Sequence, residues 1–180
     1  MKFIKSSFDS VYLIELESIE DDRGFFARSF CQKEFMEYNL NPQIVQCNIS
    51  YNKKDVLRGM HFQIKPYEET KLVRCIRGKI YDVVIDLRPE SSTYCLWEGF
   101  ELSAKNRKIL YVPKGFAHGF QSLEDDTEVF YQLSEFYYPE YASGVRWDDA
   151  VFGIKWPITN PILSKKDQNC PDYHKVNRYE

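Results

Sequence analysis

The clearest β-strand in this chain is Ile80-Tyr81-Asp82-Val83-Val84-Ile85-Asp86-Leu87. Its β-branched and aromatic residues favour an extended backbone. Just before it, Gly78 separates this stretch from a second β-rich run, Leu72–Ile76. Because glycine commonly marks turns, the sequence predicts two successive strands here rather than a strand followed by a helix.

Short β-rich segments separated by turn residues continue on both sides of this pair. They are Val11–Leu16, Phe25–Phe30, Gln43–Ser50, Val56–Gln63, Cys95–Leu102, Lys108–Val112, Gly119–Leu123 and Thr127–Ser134. One short helix is predicted over Gln32–Tyr38, and the segment from Tyr138 onward is expected to be irregular but packed. Closely spaced strands without alternating helices predict an all-β sandwich or barrel and disfavour a doubly wound α/β fold.

Length and composition indicate one globular domain over residues 1–180, with 43% apolar and 16% aromatic residues. The net charge of −3 provides no general attraction to nucleic acid or to membranes. The N-terminus is too polar for a signal peptide, and no apolar run is long enough to span a bilayer. Five scattered cysteines without a CxxC pair favour a reduced, cytoplasmic protein.

Two histidine-centred segments contain the candidate chemistry. The first is Arg58-Gly59-Met60-His61-Phe62-Gln63, with Lys71 soon after, and the second is Pro113-Lys114-Gly115-Phe116-Ala117-His118-Gly119. Histidine exchanges a proton at modest cost near neutral pH. Together with Lys71, Arg58 and Tyr131, the two histidines indicate proton chemistry on an anionic small molecule.

The second segment matches the PxGxxH signature of cupin jelly rolls, and the whole chain resembles the dTDP-4-dehydrorhamnose 3,5-epimerase family. The matching pieces occur in the family's order along nearly the whole chain. They are Asp22–Phe26, Gln46–Ser50, Val56–Gln63, Lys71–Val73, Tyr81–Arg88, Gly115–Phe120, Trp147–Asp149, Trp156-Pro157 and Leu163–Asp167. The resemblance implies a cupin-type double-stranded β-helix, or jelly roll, with a few short helices and an irregular C-terminal segment.

The resemblance also implies a metal-free, cofactor-free epimerase acting on a nucleoside-diphosphate 4-keto-6-deoxyhexose. In this comparison His61 matches the general base, Asp167 the carboxylate that orients it, Lys71 the residue near the sugar C4 oxygen, and Tyr131 the acid on the opposite face. The matched substrate-contacting positions are Arg23, Phe26, Gln46, Asn48, Arg58, His118, Tyr137 and Lys166. The family is dimeric with exchanged strands, so a homodimer is expected, in which the neighbouring chain completes each site.

The expected reaction needs these residue types. A proton beside a ketone becomes easier to remove when a base works near its own pKa and a cation faces the developing enolate oxygen. His61 and Lys71 can supply these functions. Tyrosine, with an ordinary pKa of ~10, stays protonated until an enolate is near. Arginine suits a diphosphate because its planar guanidinium donates two parallel hydrogen bonds.

Taken alone, each residue also has an ordinary structural interpretation. Lys71 could be a surface lysine, Tyr131 a packing residue, Asp167 a helix cap, and His118 a hydrogen-bonding residue within the barrel rather than a substrate contact. Many cupins bind a metal through an HxH pair, but this chain has Gln63 in place of the second histidine. A metal-dependent oxygenase is therefore disfavoured.

Two departures from the family pattern concern substrate specificity. Arg28 stands at a substrate-contacting position where the family usually has glutamate, and Ala142-Ser143 stand where it tends to have Glu-Arg. The proton-transfer residues are unchanged. Inversion of only C3 or C5, or use of another nucleotide such as a CDP-sugar, therefore stays open, as do a 3,4-ketoisomerase and a non-catalytic nucleotide-sugar binder.

Overall fold

The structure, a computed structural model, describes residues 1–174, which form thirteen strands and two short helices. The strands are β1 (Lys2–Lys5), β2 (Tyr12–Glu15), β3 (Ile19–Asp21), β4 (Gly24–Phe26), β5 (Gln46–Asn52), β6 (Leu57–Gln63), β7 (Lys71–Arg77), β8 (Lys79–Asp86), β9 (Trp97–Ser103), β10 (Ile109–Val112), β11 (Phe116–Ser122), β12 (Thr127–Leu133) and β13 (Ala142–Gly144). The helices are α1 (Gln32–Glu37) and α2 (Lys165–Gln168).

Two antiparallel sheets form the body of the molecule. The six-stranded sheet has the order β1-β2-β10-β7-β12-β5, and the five-stranded sheet has the order β13-β6-β11-β8-β9. Strands β3 and β4 form a separate two-stranded hairpin. The all-β jelly-roll prediction is confirmed.

Apolar side chains from both sheets form the main core. Val73 and Val129 from one sheet and Val84 and Phe120 from the other belong to one cluster and are at most 1% exposed. Full burial of such a side chain contributes roughly 1.5–3 kcal/mol. This packing holds β6 and β11 in one sheet against β7 and β12 in the other, and these four strands contain His61, His118, Lys71 and Tyr131.

Strands β6 and β11 approach each other closely at two glycines. Gly59 has φ +148°, and a Cβ atom placed on it would lie 2.6 Å from the Cα atom of Gly119. A side chain is therefore excluded, and the pairing register shifts between His118 and Phe120. One consequence is that His61 and His118 are cross-strand partners.

Most predicted elements are present, but Phe25–Phe30 is wrong as a single strand. The strand ends at Phe26, and the following residues turn toward α1. There Arg28 pairs with Glu34, and the Phe30 ring packs 5.0 Å from Phe35. The segment predicted to begin at Gly119 begins at Phe116, and the short strands β1, β3 and β13 were not predicted.

The C-terminal segment is packed against the five-stranded sheet, as predicted, although it also contains β13 and α2. Val56 forms a parallel bridge with Ile162, and the Trp156 indole donates to the carbonyl of Trp147. Nothing within residues 1–174 is a helix of the length and apolarity needed to cross a bilayer.

Candidate active site

A cavity of about 320 Å³ opens between the two sheets. Nine of the thirteen sequence-predicted site residues line it: Gln46, Asn48, Arg58, His61, Lys71, His118, Tyr131, Tyr137 and Lys166. The two sheets contribute different groups, with His61 and His118 on the five-stranded sheet and Lys71 and Tyr131 on the six-stranded sheet. The cavity thus has a histidine side facing a lysine and tyrosine side.

His61 is held by Asp167, which comes from α2. Its Nε2 atom lies 2.6 Å from Asp167 Oδ1, and the Ser164 hydroxyl caps the helix by accepting the Asp167 amide. Burial favours a higher pKa for the Asp167 carboxyl, but the His61 ring, Ser164 and Lys166 outweigh it and hold that pKa below its usual range. An ionised carboxylate only accepts hydrogen bonds, so Nε2 donates and Nδ1 keeps a free lone pair for proton abstraction.

His118 makes a second, more deeply buried histidine–carboxylate contact. Its Nε2 atom lies 3.0 Å from Oδ2 of Asp82, and both side chains are almost inaccessible to solvent. Burial raises the pKa of the Asp82 carboxyl, against the opposing effect of His118. His118 therefore lines the cavity and also hydrogen-bonds within the barrel, so both sequence-based interpretations describe part of its environment.

Lys71 is also paired, through a carboxylate that the sequence analysis did not single out. Its Nζ atom lies 3.0 Å from Glu69 Oε1 and 3.4 Å from the His61 carbonyl oxygen. The amide of Gln63 donates to the other Glu69 oxygen at 3.3 Å. Glu69 lies two residues before Lys71, and residues at this spacing in an extended chain lie on the same face. This spacing is the signal in the sequence that could have identified Glu69.

Tyr131 projects from β12 and hydrogen-bonds to Ser50 of the adjacent edge strand β5. The two hydroxyl oxygens are 3.1 Å apart. Burial raises the pKa of Tyr131 well above its ordinary value, with Ser50 acting in the opposite direction. The phenol is thus protonated at neutral pH and available as a proton donor.

Further polar groups of the cavity lining are suited to binding an anion. Arg58 projects from β6, and its Nε atom donates to Asn52 Oδ1 at 2.7 Å. Gln46 accepts the backbone amide of Tyr137 at 3.2 Å, which holds the loop after β12 against the edge strand. Arg58 and Lys166 from α2 are two cations of the cavity lining besides Lys71.

The remaining predicted residues, Arg23, Phe26 and Arg28, lie outside this cavity in the single chain. Arg23 is at the tip of the β3–β4 hairpin, pairs with Asp21, and has a side chain that is 90% exposed. Phe26 is 74% exposed, and Arg28 pairs with Glu34. That these three residues contact the substrate stays a prediction, and such contacts would have to be made in the cavity of a second chain.

Comparison with known proteins gives the family. The model of the dTDP-4-dehydrorhamnose 3,5-epimerase family matches residues 5–175. The chain belongs to this family. A relative named dTDP-4-dehydrorhamnose 3,5-epimerase, from Methanothermobacter thermautotrophicus, is 46% identical over 171 residues, covering 93% of this chain and 92% of the relative.

Solved structures of dTDP-4-dehydrorhamnose 3,5-epimerases share the fold. The Bacillus anthracis enzyme with bound TDP and PPi has a TM-score of 0.93 and 43% identity, covering 96% of this chain and 99% of the other. A Legionella pneumophila dTDP-6-deoxy-D-glucose-3,5-epimerase in complex with dTDP-4-keto-L-rhamnose has a TM-score of 0.90 and 35% identity, covering 95% and 92%. Fold and family are therefore shown over nearly the full length.

The two residues of β13 that the sequence analysis connected with specificity face the cavity. Ala142 and Ser143 of β13 line it, opposite Gln63 and Phe62 on β6. Among the described residues that line the cavity, Glu69 is the single carboxylate. The negative charge of the cavity wall is thus placed beside Lys71 rather than on β13.

Proposed function

We propose that this chain inverts both C3 and C5 of a dTDP-linked 4-keto-6-deoxyhexose, the reaction type named for its family. The observation on which this depends is the contact between His61 and Asp167, at 2.6 Å, on the wall of a cavity that Lys71 and Tyr131 also line. Base, orienting carboxylate, cation and acid are the groups needed for proton exchange beside a ketone.

In the proposed reaction His61 removes the proton from the carbon beside the C4 ketone. The electron pair of the broken C–H bond forms the enolate, and negative charge develops on the C4 oxygen. Asp167 keeps the imidazole oriented and stabilises the imidazolium that results. Lys71 stabilises the enolate oxygen, a type of contribution whose loss commonly costs about 100–1,000-fold in rate.

Inversion requires that the new proton arrives on the other face of the sugar. Tyr131 belongs to the sheet opposite the one that contains His61, and both side chains line the cavity. A sugar bound between the sheets would therefore have the base on one face and the phenol on the other. This arrangement supports a two-group inversion over removal and return of a proton by a single base.

The diphosphate is assigned to Arg58 and Lys166, with Gln46, Asn48 and Tyr137 completing the opening of the cavity and His118 contacting the sugar. Arginine and lysine can neutralise a diphosphate at close range. The TDP and PPi bound to the Bacillus anthracis relative support a nucleotide ligand of this kind.

The proposed reaction uses no metal or other cofactor. Gln63, at the position of the missing second histidine, is occupied by hydrogen bonds to Tyr67, Glu69, Phe136 and Tyr138. Full turnover after dialysis against a strong chelator is the expected result, and recovery only on adding a divalent ion would contradict it. We also place the enzyme in the cytoplasm, where nucleotide sugars are made.

A homodimer is part of the proposal. The β3–β4 hairpin exposes Ile19 and Phe26, and the edge strand β5 beside the cavity exposes Ile49 and Tyr51, each by 55% or more. Exposed apolar side chains at a sheet edge favour association. A second chain in this position would bring Arg23 and Phe26 to its neighbour's cavity, together with Arg28.

The decisive assay incubates the protein with dTDP-4-keto-6-deoxyglucose in deuterated water and follows the sugar by NMR. Inversion with deuterium at both C3 and C5 is expected. Label and inversion at one centre only, or a preference for a CDP-linked sugar, would establish a narrower epimerase. Carbonyl migration from C4 to C3 would establish a ketoisomerase, and binding without label would establish a non-catalytic binder.

A further inference from the structure

A chain of hydrogen bonds runs from Arg58 through Asn52 and Ser50 to Tyr131. Arg58 Nε donates to Asn52 Oδ1 at 2.7 Å, and Asn52 Nδ2 lies 3.2 Å from Ser50 Oγ. Ser50 Oγ lies 3.1 Å from the Tyr131 hydroxyl. Asn52 is 1% exposed, so water does not compete for its amide.

Arg58 fixes the orientation of the Asn52 side-chain amide. A guanidinium has donors and no acceptor, so Asn52 must turn its carbonyl oxygen toward Arg58. Its amide nitrogen then faces away from Arg58 and donates to Ser50 Oγ and to the carbonyl oxygen of Thr127, each at 3.2 Å. Ser50 keeps its own hydrogen, which it can donate to the Tyr131 oxygen 3.1 Å away.

We infer that Ser50 and Asn52 are positioning residues for the acid of the epimerisation: they make Tyr131 an acceptor from Ser50 and leave its hydroxyl hydrogen free for the substrate. This inference depends on the proposed function. The transfer breaks the Tyr131 O–H bond and forms the new C–H bond with the enolate electron pair, which restores the C4 carbonyl. The resulting phenolate accepts the Ser50 hydrogen bond until solvent returns a proton.

The variant Asn52→Asp tests the direction of these hydrogen bonds, because aspartate and asparagine side chains have almost the same shape. An ionised aspartate still accepts from Arg58, but its second oxygen now accepts where Asn52 donated. Ser50 would then donate to the carboxylate and accept from Tyr131, so the phenol hydrogen would point away from the substrate. Ser50→Ala removes the connection, and Ser50→Thr restores a hydroxyl.

The measurement separates hydrogen exchange from inversion in deuterated water. His61 can still remove a proton and return deuterium to the same face, so deuterium should accumulate in recovered, uninverted substrate. In Asn52→Asp and Ser50→Ala we expect inversion to fall at least about tenfold, as for loss of a positioned acid. Exchange should continue in both variants, and in Ser50→Ala, which leaves Arg58 and Asn52 unchanged, KM should stay within about twofold. Ser50→Thr should recover inversion, and Asn160→Asp, the same change at an exposed amide outside the cavity, should match the wild type.

The Tyr131→Phe background gives the control for mechanism. If Ser50 acts through Tyr131, adding Ser50→Ala to Tyr131→Phe should cause no further loss. An unchanged ratio of exchange to inversion in Asn52→Asp, or a full further loss in the double variant, would overturn the inference. A wild-type protein that neither exchanges nor inverts any 4-keto sugar would instead overturn the proposed function.

Discussion

His61 and His118 are cross-strand partners on β6 and β11, yet each hydrogen-bonds to a different carboxylate. The His61 side chain is 37% exposed and faces the cavity with Asp167 behind it. His118 is 5% exposed and its partner Asp82 is fully buried. The two histidines are equivalent in the sheet but differ in access to solvent and substrate, so their substitution should have different effects.

His61→Asn should remove turnover and leave the fold intact. Loss of a general base costs about 100–10,000-fold in rate, and a partly exposed side chain contributes little to packing. Nucleotide affinity, measured by calorimetric titration with dTDP, should stay within about threefold of the wild type because the base does not contact the diphosphate. His118→Asn is the comparison variant: it leaves Asp82 without its partner, so its melting temperature should fall. Exchange into substrate at the wild-type rate in His61→Asn would disprove the assignment of the base.

Asp167→Asn should reduce kcat by about 100-fold or more, because an amide can hold the imidazole in the wrong tautomer and does not stabilise the imidazolium. The side-chain volume is nearly unchanged, so unfolding should remain cooperative. The test is kcat at several pH values above neutrality, where wild-type Asp167 is fully ionised because its pKa is held below the usual range. Wild-type kcat in this variant would make Asp167 a helix-cap residue.

Glu69→Gln should lower kcat because Lys71 loses the carboxylate that holds its ammonium. Two of the three Lys71 donors have fixed acceptors in Glu69 and the His61 carbonyl, which leaves the third for the substrate oxygen. We expect a loss of about 10–100-fold, smaller than removal of the cation itself. Steady-state kinetics should place the loss in kcat and not in KM.

The adjacent Glu68 gives the matched control for this prediction. It carries the same charge but does not line the cavity, so Glu68→Gln should behave as the wild type. In the Lys71→Met background, Glu69→Gln should cost nothing more, since the group through which it acts is absent. An equal loss in both backgrounds would show that Glu69 acts independently of Lys71.

The sequence was sufficient for the long strands and insufficient for contacts between distant segments. Residues 80–86 lie in β8 because this run is rich in β-branched residues and follows the turn residue Gly78, which is local information. Ala142–Gly144 form β13 only because β6 supplies their hydrogen-bonding partners, and nothing in those three residues favours a strand.

The same limit applied to the site. His61 and Asp167 are 106 residues apart in the sequence. Residue types and spacing do not predict their contact, and only the family resemblance does. Glu69, Ser50 and Asn52 were not among the predicted site residues. Their importance depends on the direction of hydrogen bonds across two strands, and residue types and spacing do not determine it.

The pair formed by the buried carboxylate of Asp86 and the partly exposed guanidinium of Arg88 predicts how stability depends on pH. Burial favours a raised pKa for Asp86, but Arg88, Ser91 and Thr93 outweigh it and lower that pKa below the usual value. The folded state therefore binds fewer protons than the unfolded state, so the stabilisation is present above the unfolded pKa of about 4 and is lost as pH falls through the folded pKa.

Asp86→Asn should lower the free energy of unfolding by about 2 kcal/mol at pH 7, since the charge-assisted hydrogen bonds that the carboxylate accepts are weakened while Arg88 keeps access to water. It should also flatten the dependence of that free energy on pH below about 5. Urea denaturation at several pH values, from about 3.5 to about 7, measures both effects. Glu101→Gln removes the carboxylate of a solvent-accessible ion pair with Lys79 and should change neither, because solvent screens such pairs. A wild-type slope in Asp86→Asn would assign the acid sensitivity to other carboxyl groups.

Mixing two impaired variants tests whether the site is shared between chains. Arg23 is 90% exposed on the β3–β4 hairpin and lies outside its own chain's cavity, whereas His61 lines that cavity. Arg23→Ala and His61→Asn should each be weak as homodimers. In a hybrid dimer, however, one chain has an intact His61 and the other an intact Arg23. The Arg23 hairpin of the second chain would then complete the site that contains His61 of the first.

Random exchange of subunits at equal amounts gives hybrid dimers as about half of the total, each with one complete site, so about one quarter of wild-type activity should return. The mixture is unfolded and refolded together, and the same variants refolded separately and then combined give the baseline. Activity no greater than that baseline would mean that Arg23 serves its own chain or no site at all. Sedimentation of each variant as a dimer is the accompanying control, because a hairpin change that prevented association would also prevent recovery.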